Sequence, residues 1–540
     1  MSSNAASRTA LVVASGLALA LAFPKFEVSL LAWVAFVPFF YAIDGESMRR
    51  VLAWSWLQGL AAFTGSLYWI PIPLHDFADV PFALAIIPLM LLAGIMAIYT
   101  GIALSSGEYI ARRLRLPRPL TMPLAWAALE WVRTYFPIGF PWNLLGYTAY
   151  RNSVLIQFAE FTGVYGVGAL IIFFNAVVYE VAFRRTSHRA QTISLGALTG
   201  TMALVFAFGI WRTGNIKEAV SSGTFRVAMV QGDIPQSIKW DPNFLPQSFK
   251  VYEDETVDAA RRGADLVVWP EAAAAFLFQP DENYPADYLP DAAYRQTLLT
   301  LAKNTSTPIL FGAPALATDG QEGFYNRAYF VSAAGQVEGH YDKMVLVPFG
   351  EYVPARKLFG FIVNRVVKGF GDMIPGDKQT LFDFKGAKLG VLICYESIFP
   401  DLTRREVKDG ADVLVNITND AWYGESSAPF QALAMATMRS AETKVPMVRV
   451  ANTGISAIID PTGNINFPTP LFKRGTEIES VTWRPERTVY TMIGDTFAET
   501  CLLLTIAGLL LGRFRPRPAE LVVEAPIKSR APKLSSNGRA

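Results

Sequence analysis

The stretch LGVLICYE, residues 389–396, joins an apolar, strand-like run to a cysteine, a tyrosine and a glutamate. Cys394 is the only cysteine in the long polar half of the chain. A thiol at the end of a buried strand is held rigidly, at a point where backbone N–H groups can face a developing oxyanion. Cys394 is therefore a candidate nucleophile, although its position alone is equally compatible with a small buried core residue.

Two other polar residues follow predicted strands. Glu271 ends the run ADLVVWPE, residues 264–271, and Lys343 lies in GHYDKM, residues 339–344. A carboxylate can take a thiol proton, an ammonium can stabilise a thiolate or an oxyanion, and a thiolate can attack a carbonyl. Taken singly, Glu271 would be a solvated loop acid and Lys343 a surface cation. Their combination with Cys394 favours a nucleophilic active site that requires no histidine.

The composition indicates a membrane protein. The 540 residues are 52% hydrophobic and only 17% charged, and the mean hydropathy is +0.28, which is too apolar for a soluble chain of this length. The net charge of +2 gives no preference for nucleic acid, because the basic residues cluster at the ends of apolar runs. Two cysteines exclude a disulfide framework, and no metal-ligand spacing is present, so we expect neither metal nor cofactor.

The apolar segments predict eight membrane spans. Seven precede residue 213, at 9–23, 28–43, 51–74, 81–104, 119–136, 153–179 and 192–211. The predicted organisation is a membrane domain at 1–212, a catalytic domain at 213–490, a final span at 491–513 and a disordered cytoplasmic tail at 514–540.

Orientation follows from the arginines of the short loops, because cytoplasmic loops carry an excess of basic residues. Arginines cluster at 49–50, 112–118, 184–189 and 513–517, in alternate loops. This pattern predicts a cytoplasmic N-terminus and a catalytic domain on the opposite side. The first segment is predicted to be an uncleaved signal anchor, with a cleaved signal peptide as the alternative.

The region 213–490 alternates strands and helices. Strands are predicted at 225–231, 265–269, 308–311, 328–331, 389–393, 413–417, 447–450 and 456–459. Helices are predicted at 249–262, 293–304 and 431–443.

Three motifs in this region resemble the nitrilase superfamily: WPE at 269–271, YDK at 341–343 and CYE at 394–396. The strand VAMVQ at 227–231 and the segment NITNDAWYG at 416–424 are also similar to that family. The resemblance implies an α/β domain built as an αββα sandwich, with Glu271, Lys343 and Cys394 as a catalytic triad. Such a domain joined to a multi-span α-helical membrane bundle is rarer than the domain by itself.

That combination resembles the bacterial apolipoprotein N-acyltransferases, over nearly the whole chain up to about residue 513. The resemblance implies that Cys394 takes an acyl chain from a membrane glycerophospholipid as a thioester. The acceptor would be the N-terminal amine of a diacylglyceryl-cysteine lipoprotein. Glu271 would be the general base, while Lys343 and the Tyr395 N–H would bind the oxyanion. The implied protein is a monomer in the bacterial inner membrane, with a periplasmic catalytic domain.

Four supporting residues are proposed around this triad: Trp240, Glu351, Tyr395 and Glu396. Glu351 matches a second carboxylate of the family that would orient Lys343, with an ordinary turn acid as the alternative. Trp240 resembles an aromatic position that could contact lipid, and an interfacial or core tryptophan explains it equally well. The side chains of Tyr395 and Glu396 could simply brace the turn after the nucleophile.

Two other function classes remain open at this stage. One is a membrane-tethered amidase or nitrilase, in which water replaces the amine, and the other is a transporter or scaffold with a degenerate domain. Multiple spans favour a substrate that arrives within the bilayer, and an intact triad argues against a mere binding module. The segment 356–370, where large apolar residues alternate with cations, predicts an interfacial lid or, alternatively, an amphipathic core helix.

Overall fold

Helices form the first two-fifths of the chain and strands with helices form most of the rest. The computed structural model describes residues 5–184, 187–279, 290–317, 323–352, 373–484 and 486–515. The N-terminal helices are α1 (Ala5–Ala22), α2 (Phe36–Ile43), α3 (Met48–Ser66), α4 (Pro71–Asp76), α5 (Phe82–Leu114), α6 (Arg118–Tyr135), α7 (Ala159–Ala182) and α8 (His188–Glu218). Both the segment 356–370 and residues 516–540 of the predicted tail lie outside the described ranges.

Several of these helices are long and apolar enough to cross a membrane. Within the described ranges, five segments qualify by length and composition: Ala5–Ala22, Phe82–Leu114, Leu155–Ala182, His188–Glu218 and Thr496–Phe514. Large apolar side chains on them face outward, for example Leu204 and Leu503. An apolar surface of this kind suits lipid rather than water.

The helix bounds refine the predicted spans. The predicted span 51–74 is divided, because α3 ends at Ser66 and α4 begins at Pro71. Pro71 occupies the first turn of α4, where its missing N–H leaves no helical hydrogen bond unmade. Helix α8 extends to Glu218, so the predicted domain boundary at residue 212 falls inside a helix.

Two six-stranded sheets form the domain that follows. Their orders are β12-β1-β2-β3-β4-β5 and β11-β10-β9-β8-β7-β6. The first contains β1 (Gly223–Gln231), β2 (Leu266–Val268), β3 (Ile309–Leu316), β4 (Phe324–Val331), β5 (Val337–Asp342) and β12 (Gly475–Trp483). The second contains β6 (Leu381–Phe384), β7 (Ala387–Ile393), β8 (Val413–Thr418), β9 (Met447–Ala451), β10 (Ala457–Ile459) and β11 (Ile465–Asn466).

Helices cover the outer face of each sheet. The remaining helices are α9 (Leu245–Arg261), α10 (Asp291–Thr305), α11 (Pro400–Asp409), α12 (Ala428–Thr443), α13 (Val489–Ile493) and α14 (Thr496–Phe514). Alternate strand residues face opposite sides: Val227 and Met229 of β1 enter the core between the sheets, whereas Ala228 and Val230 pack with α9 and α10. Helices α11 and α12 cover the second sheet in the same way. The layers are therefore αββα, as the resemblance to the nitrilase superfamily implied.

The eight predicted strands correspond to β1–β4 and β7–β10. The other four strands, β5, β6, β11 and β12, are not among the predicted ones and lie at the sheet edges. Edge strands carry more polar residues, as in the VEGHYD sequence of β5, so their apolar signal is weaker. Strand β12 alternates buried and exposed residues along GTEIESVTW, and this period of two could have revealed it.

Candidate active site

The nucleophile candidate lies at the carboxyl end of β7. Cys394 adopts a left-handed backbone conformation with φ of +52°, and a short 3-10 turn continues to Ile398. Such a conformation is uncommon for a residue with a Cβ and occurs often at functional turns. Cys394 is half-buried and packs against both the sandwich core and the core of the membrane helices.

Glu396 ties this turn to the loop that carries Lys343. Its fully buried carboxylate accepts hydrogen bonds at Oε2 from the Ile393 N–H (2.7 Å) and at Oε1 from the Tyr341 hydroxyl (2.8 Å) and the Met344 N–H (2.7 Å). Burial raises the pKa of Glu396 to about 7, although these donors favour the ionised form. The side chain thus links two strand ends, and it makes no contact with the solvent.

Glu271 follows β2 in a tight turn that passes close to β3. The next residue, Ala272, has φ of +48°, and Gly312 of β3 lies directly beneath it. A Cβ at Gly312 would come within 2.5 Å of the Ala272 nitrogen and 2.9 Å of the Glu271 Cα. Only glycine allows this approach, so Gly312 sets the position of the carboxylate.

Two amide groups fix the Glu271 carboxylate. Asn326 Nδ2 donates to Oε1 at 2.7 Å and the Asn419 N–H donates to Oε2 at 2.9 Å. Lys343 Nζ lies 3.5 Å from the same Oε1. The carboxylate is therefore oriented from three sides.

Lys343 follows β5 and is buried between two carboxylates. Its Nζ lies 2.8 Å from Glu351 Oε1 and 3.5 Å from Glu271 Oε1. Asn326 Nδ2 also donates to Glu351 Oε1, at 3.0 Å. Burial lowers the pKa of Lys343, but the charges of Glu351 and Glu271 outweigh it and hold that pKa above its usual range. Lys343 is therefore an ammonium at neutral pH.

The Cys394 thiol is not ionised in the resting site. Burial raises its pKa to about 12, the Glu271 carboxylate acts in the same direction, and the Lys343 ammonium opposes them. A thiol with so high a pKa needs a base at the moment of attack. The arrangement can therefore perform base-assisted nucleophilic attack, with a fixed cation beside the developing charge.

The other predicted residues lie around this centre. Trp240 is half-buried in the turn after β1, directly after Lys239, whose ammonium donates to the Glu271 carbonyl oxygen at 3.0 Å. Tyr395 is buried in the core of the membrane helices, edge-on to Phe399 at 5.1 Å between ring centroids. The side chain of Tyr395 therefore contributes to packing beside the nucleophile.

Sequence reasoning missed four residues that shape this site: Lys239, Gly312, Asn326 and Asn419. Lys239 directly precedes Trp240, and Asn419 lies in the segment 416–424, so both could have been considered. Asn326 and Gly312 lie inside strands, and no local pattern shows which way a residue faces before the register is known.

An aromatic cluster on the membrane side adjoins the site. The Tyr423 ring lies 5.0 Å from that of Trp69 and 6.3 Å from that of Trp142. Gln431 of α12, itself buried, accepts hydrogen bonds at Oε1 from both indoles, at 3.1 and 2.7 Å. Its amide nitrogen donates to the carbonyl oxygen of Ser66 at 2.9 Å. Gln431 thus joins the membrane helices to the catalytic domain.

Comparison with known proteins places both halves of the chain in one family. Residues 226–486 match the model of the carbon–nitrogen hydrolases, and residues 15–177 match that of the apolipoprotein N-acyltransferase N-terminal domain. An apolipoprotein N-acyltransferase of Geobacter metallireducens is 39% identical over 91% of this chain and 92% of its own length. This chain belongs to the apolipoprotein N-acyltransferase family. The corresponding protein of Pseudomonas syringae is 30% identical over 93% of the chain and 96% of its own length.

Membership of the apolipoprotein N-acyltransferase family confirms the resemblance inferred from the sequence, and with it the prediction of an enzyme. Among solved structures, an amidase from Nesterenkonia sp. AN1 aligns at 20% identity and a TM-score of 0.35, covering 47% of this chain and 92% of its own. The family assignment depends on the sequence relatives, which span both the membrane and the catalytic parts.

Proposed function

We propose that this enzyme transfers an acyl chain from a membrane glycerophospholipid, through a Cys394 thioester, to the N-terminal amine of diacylglyceryl-cysteine on apolipoproteins. Its relatives carry the name apolipoprotein N-acyltransferase. The observation that carries the proposal is the place of Cys394, which packs against the membrane-helix core on one side and the sandwich core on the other. A nucleophile at that junction can meet an acyl chain that arrives from the bilayer.

In the first step Glu271 takes the Cys394 proton, and the sulfur attacks the ester carbonyl carbon of the phospholipid. Lys343 and the Tyr395 N–H stabilise the tetrahedral oxyanion. When the oxyanion collapses, the C–O bond to glycerol breaks and the leaving oxygen receives the proton from Glu271. The products are a lysophospholipid and an acyl thioester on Cys394.

In the second step the α-amine of the acceptor attacks the thioester carbonyl. Glu271 takes a proton from the attacking nitrogen, the C–S bond breaks, and the Cys394 sulfur leaves and is reprotonated. The product is an amide. The thioester divides one difficult ester-to-amide transfer into two easier steps.

The supporting residues have proposed roles that follow from their contacts. Glu351, 2.8 Å from Lys343, orients the ammonium and keeps it charged. Glu396 positions the nucleophile turn through its hydrogen bonds. Tyr395 supplies its N–H to the oxyanion. Trp240, partly exposed beside the carboxylate turn, is proposed to contact the lipid substrate.

We further propose that the enzyme is a monomer with eight spans in the bacterial inner membrane, its catalytic domain periplasmic. The arginine-rich loops support this orientation because they lie together. Glu46 accepts from Arg50 at 2.9 Å and, through its carbonyl, from Arg112. Arg113 donates to the Gly512 carbonyl oxygen at 2.8 Å, so the ends of α5 and α14 meet. The arginine-rich loops therefore lie at one end of the helix bundle, and that basic end is the expected cytoplasmic side.

The purified protein incubated with phospholipid vesicles tests the first step. We expect one lysophospholipid and one acyl-carrying Cys394 peptide per enzyme, measured by mass spectrometry, and neither with Cys394→Ala. Continuous release of free fatty acid without an acceptor would instead favour the amidase-like alternative, in which water takes the acyl chain. An unmodified Cys394 and intact phospholipid would contradict both.

A further inference from the structure

A second buried lysine lies beside the candidate base. Lys239, in the turn between β1 and α9, is 2% exposed, and its Nζ donates to the main-chain oxygen of Glu271 at 3.0 Å. The same turn is attached to the site a second time, because Asn419 Nδ2 donates to Gln236 Oε1 at 2.8 Å. Burying a lysine ammonium costs free energy unless the charge is paired and hydrogen-bonded, so the burial of Lys239 needs a physical explanation.

The charges of the neighbouring site residues indicate a role for the Lys239 ammonium. Lys343 offsets one of the two carboxylates beside it, Glu271 and Glu351, and these three groups together carry one net negative charge. Lys239, by contrast, donates within the described residues to a neutral carbonyl oxygen. Its positive charge makes the set of four groups neutral.

Negative charge must form at Cys394 during both steps. Once Glu271 has taken the proton it is neutral, and Lys343 is paired with Glu351. With Lys239 uncharged, the anion at Cys394 would therefore have no net positive charge beside it, and a charged Lys239 supplies one. The Asp420 carboxylate also raises the pKa of the thiol, but the Arg449 guanidinium, 2.9 Å away, offsets the charge of Asp420. The Thr418 hydroxyl, which donates to Asp420 Oδ1 at 3.0 Å, acts to lower the pKa of the thiol and carries no charge.

We propose that Lys239 is a positioning residue whose charge, acting through the field of the site and through Glu271, stabilises the anion formed at Cys394. It does not touch the substrate. The proposal deepens the proposed function and rests on it for the role of Cys394 as nucleophile. It predicts that the reactivity of the thiol depends on the charge at position 239 and not only on a hydrogen bond there.

The protonation of Lys239 gives this role a pH signature. Burial lowers the pKa of Lys239 to about 8, while the charges of Glu271 and Cys394 oppose the shift. A lysine is charged below its pKa, so the stabilising charge is present at pH 7 and is lost as the pH rises through about 8. Above that pH, thiolate formation should rise less steeply than it does below.

The test measures the rate of Cys394 alkylation by iodoacetamide between pH 6 and pH 10 in the detergent-purified full chain. Peptide mass spectrometry separates Cys394 from Cys501. Lys239→Gln keeps a hydrogen-bond donor without the charge, and Lys239→Arg keeps both. Lys250→Gln, on the exposed face of α9 where the lysine pairs with Glu253 at 3.1 Å, is the matched control for loss of one charge.

We expect Lys239→Gln to be alkylated about tenfold more slowly at pH 7, with no bend near pH 8. Lys239→Arg should keep the wild-type rate at pH 7 and also lose the bend, because arginine stays charged. Lys250→Gln should match the wild type.

The proposal is overturned if Lys239→Gln reproduces the wild-type profile, bend included, since a hydrogen bond alone would then suffice. It is also overturned if Lys239→Gln and Lys239→Arg are alkylated equally slowly at every pH and unfold at a lower temperature than the wild type, which would indicate a purely structural lysine. Alkylation needs no lipid, so the alkylation rates can be interpreted even if the enzyme fails to transfer an acyl chain.

Discussion

Replacement of Gly312 by alanine should disable the enzyme by moving Glu271. The added Cβ would lie 2.5 Å from the Ala272 nitrogen and 2.9 Å from the Glu271 Cα. Both are backbone atoms, so no side chain can rotate away. Restoring a contact of 3.4 Å to that nitrogen requires a displacement of about 0.9 Å in the turn that carries the base.

The consequence for rate follows from that displacement. A misplacement of about 1 Å in a catalytic group costs on the order of 100-fold, whereas overpacking one methyl group destabilises a fold by about 1–3 kcal/mol. Gly312→Ala should therefore remain folded but form the Cys394 thioester about 100-fold more slowly. Single-turnover mass spectrometry measures the rate, and thermal unfolding in detergent measures the stability.

Gly475→Ala is the matched control, because the added Cβ meets no atom within 4 Å and the residue lies in the same sheet, in β12. It should keep the wild-type rate. The reasoning is refuted if Gly312→Ala forms thioester at the normal rate, or if both variants lose activity to the same extent.

Three other outcomes are expected. Glu271→Gln should slow thioester formation on the order of 100-fold at pH 7, and because burial raises the pKa of Cys394 to about 12, its residual rate should rise with pH between pH 7 and pH 10. A pH-independent residual rate would contradict the role of base. Gln431→Leu leaves two buried indole N–H groups without their acceptor, so unfolding should cost about 2–4 kcal/mol less; an unchanged melting temperature would refute this. In a variant otherwise free of cysteine, a single cysteine at Ala334 should react with an impermeant reagent from the periplasmic side and one at Leu116 should not, and the reverse pattern would overturn the orientation.

The residues of the candidate site differ in how visible they are in the sequence. Glu271, Lys343 and Cys394 follow strands at turns, where a polar residue interrupts an apolar run, and each carries a local motif. Asn326, which contacts both Glu271 and Glu351, lies within β4 and has no such signal. Its role depends on which face of the strand it occupies, and that requires the pairing of β4 with β3 and β5.

The fold shows the same contrast between local and long-range information. Central strands such as β8, buried along its whole length, are predicted from their apolar runs. Strand β12 reaches its partner β1 from a separation of about 250 residues, so nothing near either strand in sequence predicts the pairing. In the membrane part, composition predicts where apolar segments lie, but it does not show that α3 ends at Ser66 and that a separate helix, α4, begins at Pro71.

The fate of the acyl chain on Cys394 tests the central claim most directly. Enzyme acylated by phospholipid is separated from lipid and then mixed with a synthetic diacylglyceryl-cysteine peptide, and mass spectrometry follows both partners. The account predicts that the acyl mass leaves the Cys394 peptide and is found, in equal amount, as an amide on the peptide's N-terminal amine. Amide formed while the acyl group stays on Cys394, or an acyl group released only as free fatty acid, would contradict it.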